Sequence, residues 1–248
     1  MDTKFDASVI AGVSARRRAL VLGIPATLLG ACAGLPAASG PAATAPSLAV
    51  GDRWTYNCSD GYLTRVNWTE THEITAIDQT GIAIRVTGRG QTMNFERVEL
   101  FSAPGQMLVG SVYDNAETRR FGSPISVYRF PLTPGARWDE NVANFDELRQ
   151  KNDVVNRYVQ VGGHETIATP AGTFDAVTMR VFMSLDIDDP FRFPTQCSYE
   201  VWYSQQAGAS VRETKWAAYL ERTSGLDTAQ IRTQNTVIEL ASYARRGA

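Results

Sequence analysis

The sequence from residue 50 onward alternates apolar and polar residues in short runs, which turn-forming residues separate. Because successive side chains of a strand point to opposite faces, this period of two predicts β-strands with one buried face. The spacing predicts a mainly β fold: a single curved antiparallel sheet, half-barrel or sandwich of about a dozen strands, with little helix. The predicted strands cover residues 54–58, 66–77, 82–87, 93–100, 106–113, 125–130, 154–161, 165–169, 174–186, 196–203, 210–219 and 237–243.

Three local patterns refine this prediction. Residues 140–151 favour a helix, because Phe145 and Leu148 are three positions apart. Gly162-Gly163 and the Thr-Pro-Ala-Gly sequence at 169–172 each predict a turn, since glycine reaches positive φ angles at no steric cost. The five residues ending in Trp54 resemble the five ending in Trp138, which predicts two tight turns that each deliver a tryptophan into a strand.

The N-terminal residues have a different composition. Three arginines at 16–18 precede 12 mostly apolar residues, 19–30, a stretch too short to span a bilayer as a helix. This pattern predicts a signal peptide. The stretch ends in Leu28-Leu29-Gly30-Ala31-Cys32, which resembles the lipobox of bacterial lipoproteins. That resemblance implies cleavage before Cys32 and lipidation of Cys32; an ordinary cysteine beside a leader is the alternative.

The lipobox resemblance divides the chain into three parts: signal peptide 1–31, lipidated cysteine and flexible tether 32–48, and single β-domain 49–248. The tether is predicted because residues 33–48 are rich in Ala, Pro, Gly and Ser and carry no charge. Ala33 occupies the position where aspartate favours the inner membrane. The resemblance therefore implies an outer-membrane lipoprotein that faces the periplasm. Arg17-Arg18 is also similar to a twin-arginine signal, so the export route stays open.

Two further cysteines, Cys58 and Cys197, lie in the predicted β-domain. An even pair of cysteines in an exported protein is expected to be oxidised. We therefore predict a Cys58–Cys197 disulfide. Two buried thiols, which would pack as small apolar side chains, are the alternative.

Segments 131–138, 161–175, 201–204 and 239–243 carry a second resemblance. Their order is similar to a group of uncharacterised bacterial envelope β-proteins, in which a G-x-E strand leads to a P-A-G-T-F turn, a W-Y-S strand and a terminal E-L-x-S-Y strand. That group is loosely similar to the periplasmic lipoprotein-carrier fold, a curved antiparallel sheet around an apolar hollow. The resemblance implies this architecture and no catalytic residues.

The sequence contains little recognisable chemistry. A net charge of −2 argues against nucleic-acid binding. No nucleophile, zinc, phosphate-loop or dinucleotide motif is present, so we predict no enzyme activity, cofactor or metal site. His72 shares a strand face with Glu70, which leaves an unrecognised hydrolase as an alternative to a surface ladder. Asp186, Asp188 and Asp189 permit a calcium site as an alternative to a solvated strand end.

The predicted strand 174–186 suggests a ligand-binding role. Its odd-numbered face is the more continuously apolar one and is expected to face the interior. Methionine adapts to varied apolar partners, so we predict that Met179 and Met183 line a cavity, together with Trp202. The predicted function is a non-enzymatic lipoprotein that binds an apolar ligand or an envelope partner. A structural or assembly lipoprotein without a ligand is the alternative.

Overall fold

The computed structural model describes residues 38–61, 65–113, 115, 117–186, 189–222 and 229–246. These residues form twelve strands and contain no helix. Within them there is accordingly no helix long and apolar enough to cross a membrane. The strands are β1 (Arg53–Asp60), β2 (Val66–Asp78), β3 (Gly81–Gly90), β4 (Asn94–Ala103), β5 (Gln106–Gly110), β6 (Arg119–Ser126), β7 (Arg137–Asp146), β8 (Lys151–Thr169), β9 (Gly172–Leu185), β10 (Thr195–Ser204), β11 (Ala209–Leu220) and β12 (Gln230–Ala244).

Each strand pairs antiparallel with the next along the chain, and β12 pairs with β1 to close a barrel. The prediction of a mainly β fold with about a dozen antiparallel strands is confirmed. Closure goes further than the expected open sheet or half-barrel, and it leaves no unpaired sheet edge. Because the strand number is even, β1 begins and β12 ends at one rim, the terminal end. The opposite rim is the distal end.

The two matching turns before Trp54 and Trp138 are confirmed. Gly51 and Gly135 adopt φ angles of +88° and +87°, in the left-handed region that glycine tolerates. Each turn leads directly into a strand whose second residue is the buried tryptophan. The repeated sequence thus places one large aromatic side chain inside the barrel in β1 and another in β7.

The predicted helix at 140–151 is wrong. Most of these residues belong to β7, a turn and the start of β8. The strand was missed because Asn144 and Asp146 are polar although they face the interior, where both are buried. Their side chains accept hydrogen bonds from the buried Arg119 on the neighbouring strand. The inward face of β7 therefore lacks the apolar period that marks a strand in sequence.

Gly162-Gly163 does not form the predicted turn. Strand β8 continues through both glycines, and its register against β9 shifts between Val161 and His164. The pair therefore forms a bulge, which bends a strand locally. The second predicted turn, at 169–172, is confirmed, with Gly172 at a φ of +135°. One long strand, β8, replaces the two shorter strands that were expected at 154–161 and 165–169.

Arg119 lies at the centre of a buried ionic cluster at the distal end. Its guanidinium bonds Glu117 at 2.9 Å, Asp153 at 2.8 Å, Asp146 at 3.3 Å and Asp186 at 3.4 Å. These four carboxylates come from the β5–β6 loop, β7, β8 and the end of β9. The cluster ties the distal ends of these elements together. Next to it, a group of buried apolar side chains fills the barrel at the distal end, including Phe121, Val142, Val155 and Leu185.

Residues 38–48 form a strap bound to the terminal end. Ala43 exchanges two backbone hydrogen bonds with Leu132, at 3.1 and 2.8 Å. His164 Nε2 donates to the Pro41 carbonyl at 2.9 Å, and the Thr44 amide donates to Gln205 Oε1 at 2.6 Å. The predicted tether is therefore bound to the barrel from Pro41 onward.

Candidate functional site

A cavity of about 430 Å³ lies inside the barrel. It extends from Pro46 and Leu48 of the strap at the terminal end to Met93 and Asn115 at the distal end. Small-molecule sites commonly occupy 300–1,000 Å³, roughly, so the cavity is of a size to hold a small ligand. Its wall divides into an apolar side and an ion-paired side.

The apolar side comes mainly from β6, β9 and β10. Met179 and Met183 both line the cavity, where the sequence analysis placed them. From Val177 to Leu185 the odd-numbered residues are buried, as the alternation predicts. Nearer the β8–β9 turn the pattern reverses, because the hairpin end packs with other strands and the Ala171 amide donates to Leu240 of β12. Further apolar lining residues are Ile125, Val127, Phe130, Val181, Tyr199, Val201 and Tyr203.

Trp202 does not line the cavity, so its predicted role there is wrong. Its indole Nε1 donates to Glu165 Oε2 at 2.6 Å, and the Arg212 guanidinium lies 5.6 Å from its ring centroid. The cavity-lining residues of β10 are Tyr199, Val201 and Tyr203. Alternation along β10 places Trp202 on the opposite face, with Glu200. Two other tryptophans, Trp54 and Trp68, do line the cavity.

The ion-paired side contains the His72–Glu70 pair. His72 Nε2 and Glu70 Oε1 are 2.6 Å apart, and both residues line the cavity. The interpretation of this pair as a surface ladder is therefore wrong. Burial alone would raise the pKa of Glu70. The hydrogen bond with His72 and the charge of Arg97 outweigh burial and lower that pKa to about 2. Glu70 is thus a fixed buried anion.

Arg97 and Glu99 of β4 complete this cluster. Arg97 Nε lies 2.8 Å from Glu99 Oε1, and Arg97 Nη2 lies 3.6 Å from Glu70 Oε1. Sequence reasoning missed both residues because the pattern of β4 is inverted. Arg97 and Glu99 line the cavity, whereas Val98 and Leu100 are exposed. The sequence nonetheless contained a sign of this cluster, because its polar side chains occupy alternate positions of two strands. These are Glu70 and His72 on β2, and Arg97 and Glu99 on β4.

A second ion pair joins Glu213 and Lys215 of β11. Lys215 Nζ lies 2.9 Å from Glu213 Oε2, and the Ser210 hydroxyl donates to Glu213 Oε1 at 2.6 Å. Burial opposes both charges. The Lys215 ammonium nevertheless lowers the pKa of Glu213, and the Glu213 carboxylate raises the pKa of Lys215. Both groups therefore stay charged, and the pair has no net charge.

The β5–β6 loop covers the distal end of the cavity. The Tyr199 hydroxyl donates to the Val112 carbonyl at 3.1 Å, and Gln234 Nε2 donates to the Tyr113 carbonyl at 3.0 Å. Glu117 Oε1 in turn accepts from both loop amides, at 3.1 and 2.8 Å. The loop is thus held across the barrel, from β6 to β10 and β12.

The His72–Glu70 pair has the geometry of a general base and its orienting carboxylate. Nucleophilic catalysis requires a hydroxyl or thiol within hydrogen-bond reach of such a base. Among the described residues, no hydroxyl or thiol is bonded to His72, and the Ser210 hydroxyl is bonded to Glu213. Among the described residues, His72 is therefore paired with a carboxylate, and the cavity offers polar contacts to a ligand.

The predicted Cys58–Cys197 disulfide is wrong. Both cysteines are buried free thiols. They lie on β1 and β10, which β12 and β11 separate in the barrel. Three strand spacings amount to roughly 14 Å along the sheet, whereas a disulfide requires Cα atoms within about 7 Å. The structure instead matches the alternative stated from the sequence, in which two buried thiols pack as small apolar side chains.

Two sites considered from the sequence remain: the aspartates at 186, 188 and 189, and the lipidation site Cys32. Asp186 and Asp189 bond Arg192, at 2.6 and 3.1 Å, so these carboxylates are occupied by arginine rather than grouped for calcium. Asp188 lies outside the described residues, and within those residues no cluster of side chains fits a metal ion. Cys32 and the signal peptide also lie outside the described residues.

The fold and its interior define a class of protein: an up-and-down antiparallel β-barrel around a ligand-sized cavity.

No family model and no curated protein matches the sequence. The chain is similar to a solved structure from Bacteroides fragilis, described as a proposed exported protein with a YmcC-like fold. The TM-score is 0.50 and the identity 13%, over 83% of this chain and 100% of that one. A proposed lipoprotein from Parabacteroides distasonis matches over the same shares with 13% identity and a TM-score of 0.46. At this identity the likeness concerns the fold alone.

Proposed function

We propose that this protein is a non-enzymatic lipoprotein of the bacterial cell envelope whose barrel binds an apolar ligand. The observation that carries the ligand-binding part is the interior cavity, in which Met179, Met183 and Trp54 supply adaptable apolar surface. A barrel that served only as a structural element would gain stability by filling this space with side chains. The absence of a hydroxyl or thiol bonded to His72 among the described residues supports a binding role over hydrolysis.

The envelope location rests on the sequence. Leu28 to Cys32 match a lipobox after a signal-like apolar stretch, and the similar Bacteroides protein is described as a proposed exported protein. Attachment through lipid on Cys32 would place the barrel at a membrane, and Ala33 favours the outer membrane and its periplasmic face. Lasting attachment takes more than one acyl chain.

A pair of tryptophan substitutions tests the cavity. Met183→Trp adds volume on the inner face of β9, whereas Phe182→Trp changes the adjacent exposed side chain. The measurement is native mass spectrometry of protein extracted from its own membrane. We expect the wild type and Phe182→Trp to retain a small apolar molecule, and Met183→Trp to lose it. Retention of the same molecule by Met183→Trp would contradict binding in the cavity.

Cys32→Ser tests the anchor. We expect the variant to lose labelling by a fatty-acid probe and to accumulate as an uncleaved or soluble form. Alanine substitution of Ser39, which lies outside the lipobox motif, serves as the control and should label normally. Labelling of Cys32→Ser at the wild-type level would show that the lipobox resemblance is misleading.

A further inference from the structure

Arg97 carries a buried hydrogen-bond donor that no described residue accepts. The Arg97 side chain is 10% exposed and lines the cavity. Its Nε and Nη2 atoms face Glu99 and Glu70, but Nη1 has no hydrogen-bond partner among the described residues. A buried donor without an acceptor is costly. An occupant of the cavity can supply that acceptor.

Gln234 offers the complementary feature. Its Nε2 donates to the Tyr113 carbonyl, which fixes the amide orientation, and its Oε1 is buried without a partner among the described residues. Gln234 also lines the cavity. Arg97 bonds Glu99, and a β-carbon on Gly110, the last residue before the β5–β6 loop, would lie 3.2 Å from Glu99 Cγ. The unpaired donor and the unpaired acceptor thus both lie near the β5–β6 loop.

The charges around Arg97 restrict the chemistry of the occupant. Two carboxylates already face this guanidinium, so an anionic head group would bring a third negative charge into a buried site. An ammonium head group has donors only and would leave Arg97 Nη1 unpaired. A hydroxyl or ester group accepts from Arg97 without adding charge, and a hydroxyl can also donate to Gln234.

We propose that the cavity binds a single-chain amphiphile with an uncharged, hydroxyl-bearing polar end, of the monoacylglycerol type. This inference rests on the proposed ligand-binding function and adds the class of ligand. The polar end lies beside the β5–β6 loop, with an oxygen on Arg97 Nη1 and a hydroxyl on Gln234 Oε1. The acyl chain lies along Met179, Met183 and Val201.

Three probes with the same twelve-carbon chain test the proposal: monolaurin, laurate and dodecylamine. The full chain carrying Cys32→Ser is purified without detergent, and its binding constants are measured by quenching of tryptophan fluorescence, since Trp54 and Trp68 line the cavity. We expect monolaurin to bind about tenfold or more tightly than either charged probe, because one hydrogen bond to a charged group accounts for that factor.

Two variants assign the preference to residues. Arg97→Lys keeps the charge that Glu70 and Glu99 require, but it replaces the three guanidinium nitrogens by one ammonium nitrogen, so the donor provided by Arg97 Nη1 is lost. We expect it to reduce the preference for monolaurin to within threefold, roughly. Gln234→Leu removes the Oε1 acceptor, together with the amide that donates to the Tyr113 carbonyl. It is expected to act in the same direction, which keeps the test valid if Arg97→Lys does not fold. Arg180→Lys, at the outward pair with Glu200, is the control and should bind like the wild type.

The outcomes separate this inference from the proposed function. If none of the probes binds, the ligand-binding function itself is wrong. If all three bind equally, or laurate binds most tightly, the cavity is functional but the uncharged polar end is wrong. A full preference for monolaurin in both Arg97→Lys and Gln234→Leu would overturn the assignment to these residues.

Discussion

Gly88 lies directly opposite Phe95 in the β3–β4 pair, and the phenyl ring occupies the space that a side chain at position 88 would need. A β-carbon on Gly88 would come within 2.1 Å of Phe95 Cε1. The same ring lies 5.2 Å from the Arg97 guanidinium. The missing side chain at position 88 therefore sets the position of Phe95, and through Phe95 that of Arg97 at the cavity wall.

Gly88→Ala is expected to destabilise the protein by about 1–3 kcal/mol, because the half-buried Phe95 ring must move to avoid overpacking. The measurement is urea denaturation followed by tryptophan fluorescence. Gly122→Ala is the matched control, since a β-carbon there would make only ordinary contacts, at 3.4 and 3.9 Å. Equal stability of the two variants would contradict the close approach of Gly88 and Phe95.

Arg119→Met is expected to cost about 3–5 kcal/mol of stability, because it removes the buried cation that Glu117 bonds and one cation partner of Asp146, Asp153 and Asp186. Its neighbour Arg120 provides the control. The Arg120 side chain is 63% exposed and pairs with Glu147 at the surface, so Arg120→Met should change stability by only about 0–1 kcal/mol. Comparable losses in both variants, measured by chemical denaturation, would argue against the buried ionic cluster.

Thiol counting tests the absence of the disulfide. In the Cys32→Ser chain, two thiols should react after denaturation without reductant, from Cys58 and Cys197. In the native protein both should react slowly, because burial raises the pKa of Cys197 to about 12 and that of Cys58 above its usual range. Recovery of no thiols from the denatured chain would show that the pair is oxidised.

The strap should loosen as the pH rises. Partial burial opposes the charged form of His164, but its bonds to the Pro41 carbonyl and the Asp175 carboxylate raise its pKa above the ordinary 6.5. The folded state therefore favours protonated His164. The resulting stabilisation is complete below pH 6.5 and is lost as the pH rises through the higher folded-state pKa.

Hydrogen exchange of residues 38–48, corrected for the intrinsic exchange rate, measures this effect. The pH is varied from about 5 to about 9, which includes the range in which histidine titrates. Asp175→Asn removes one cause of the raised pKa and should shift strap loosening to lower pH. His164→Asn should abolish the pH dependence. Strap protection that does not vary with pH in the wild type would contradict this role of His164.

The sequence was informative where strands follow simple alternation. The odd-numbered residues from Val177 to Leu185 face inward as predicted, which placed Met179 and Met183 on the cavity wall. The same reasoning applied to β10 would have placed Trp202 outside, beside Glu200. That prediction failed because it relied on the aromatic character of Trp202 rather than on its position in the strand.

The ion-paired wall could not be found in the same way. Arg97 and Glu99 face inward on a strand whose outward residues include the exposed Val98 and Leu100, so the usual relation between polarity and exposure is reversed. Partners from other strands stabilise these buried charges, and sequence periodicity contains no information about such partners. The missed strand β7 has the same cause, since Asn144 and Asp146 bond Arg119, which is distant in sequence.

The even number of strands has a practical consequence. Arg53 and Ala244 are paired neighbours at the terminal end, and the Arg246 amide bonds the Asp52 carboxylate. A short peptide linker between these ends should therefore give a circularly permuted protein with an intact sheet. New ends opened in the turn between Glu147 and Gln150, where Leu148 and Gln150 are exposed, would emerge at the opposite rim. A lipid attached there, instead of the one proposed on Cys32, would invert the barrel on a membrane. Comparing the two versions would test whether function depends on which rim faces the bilayer.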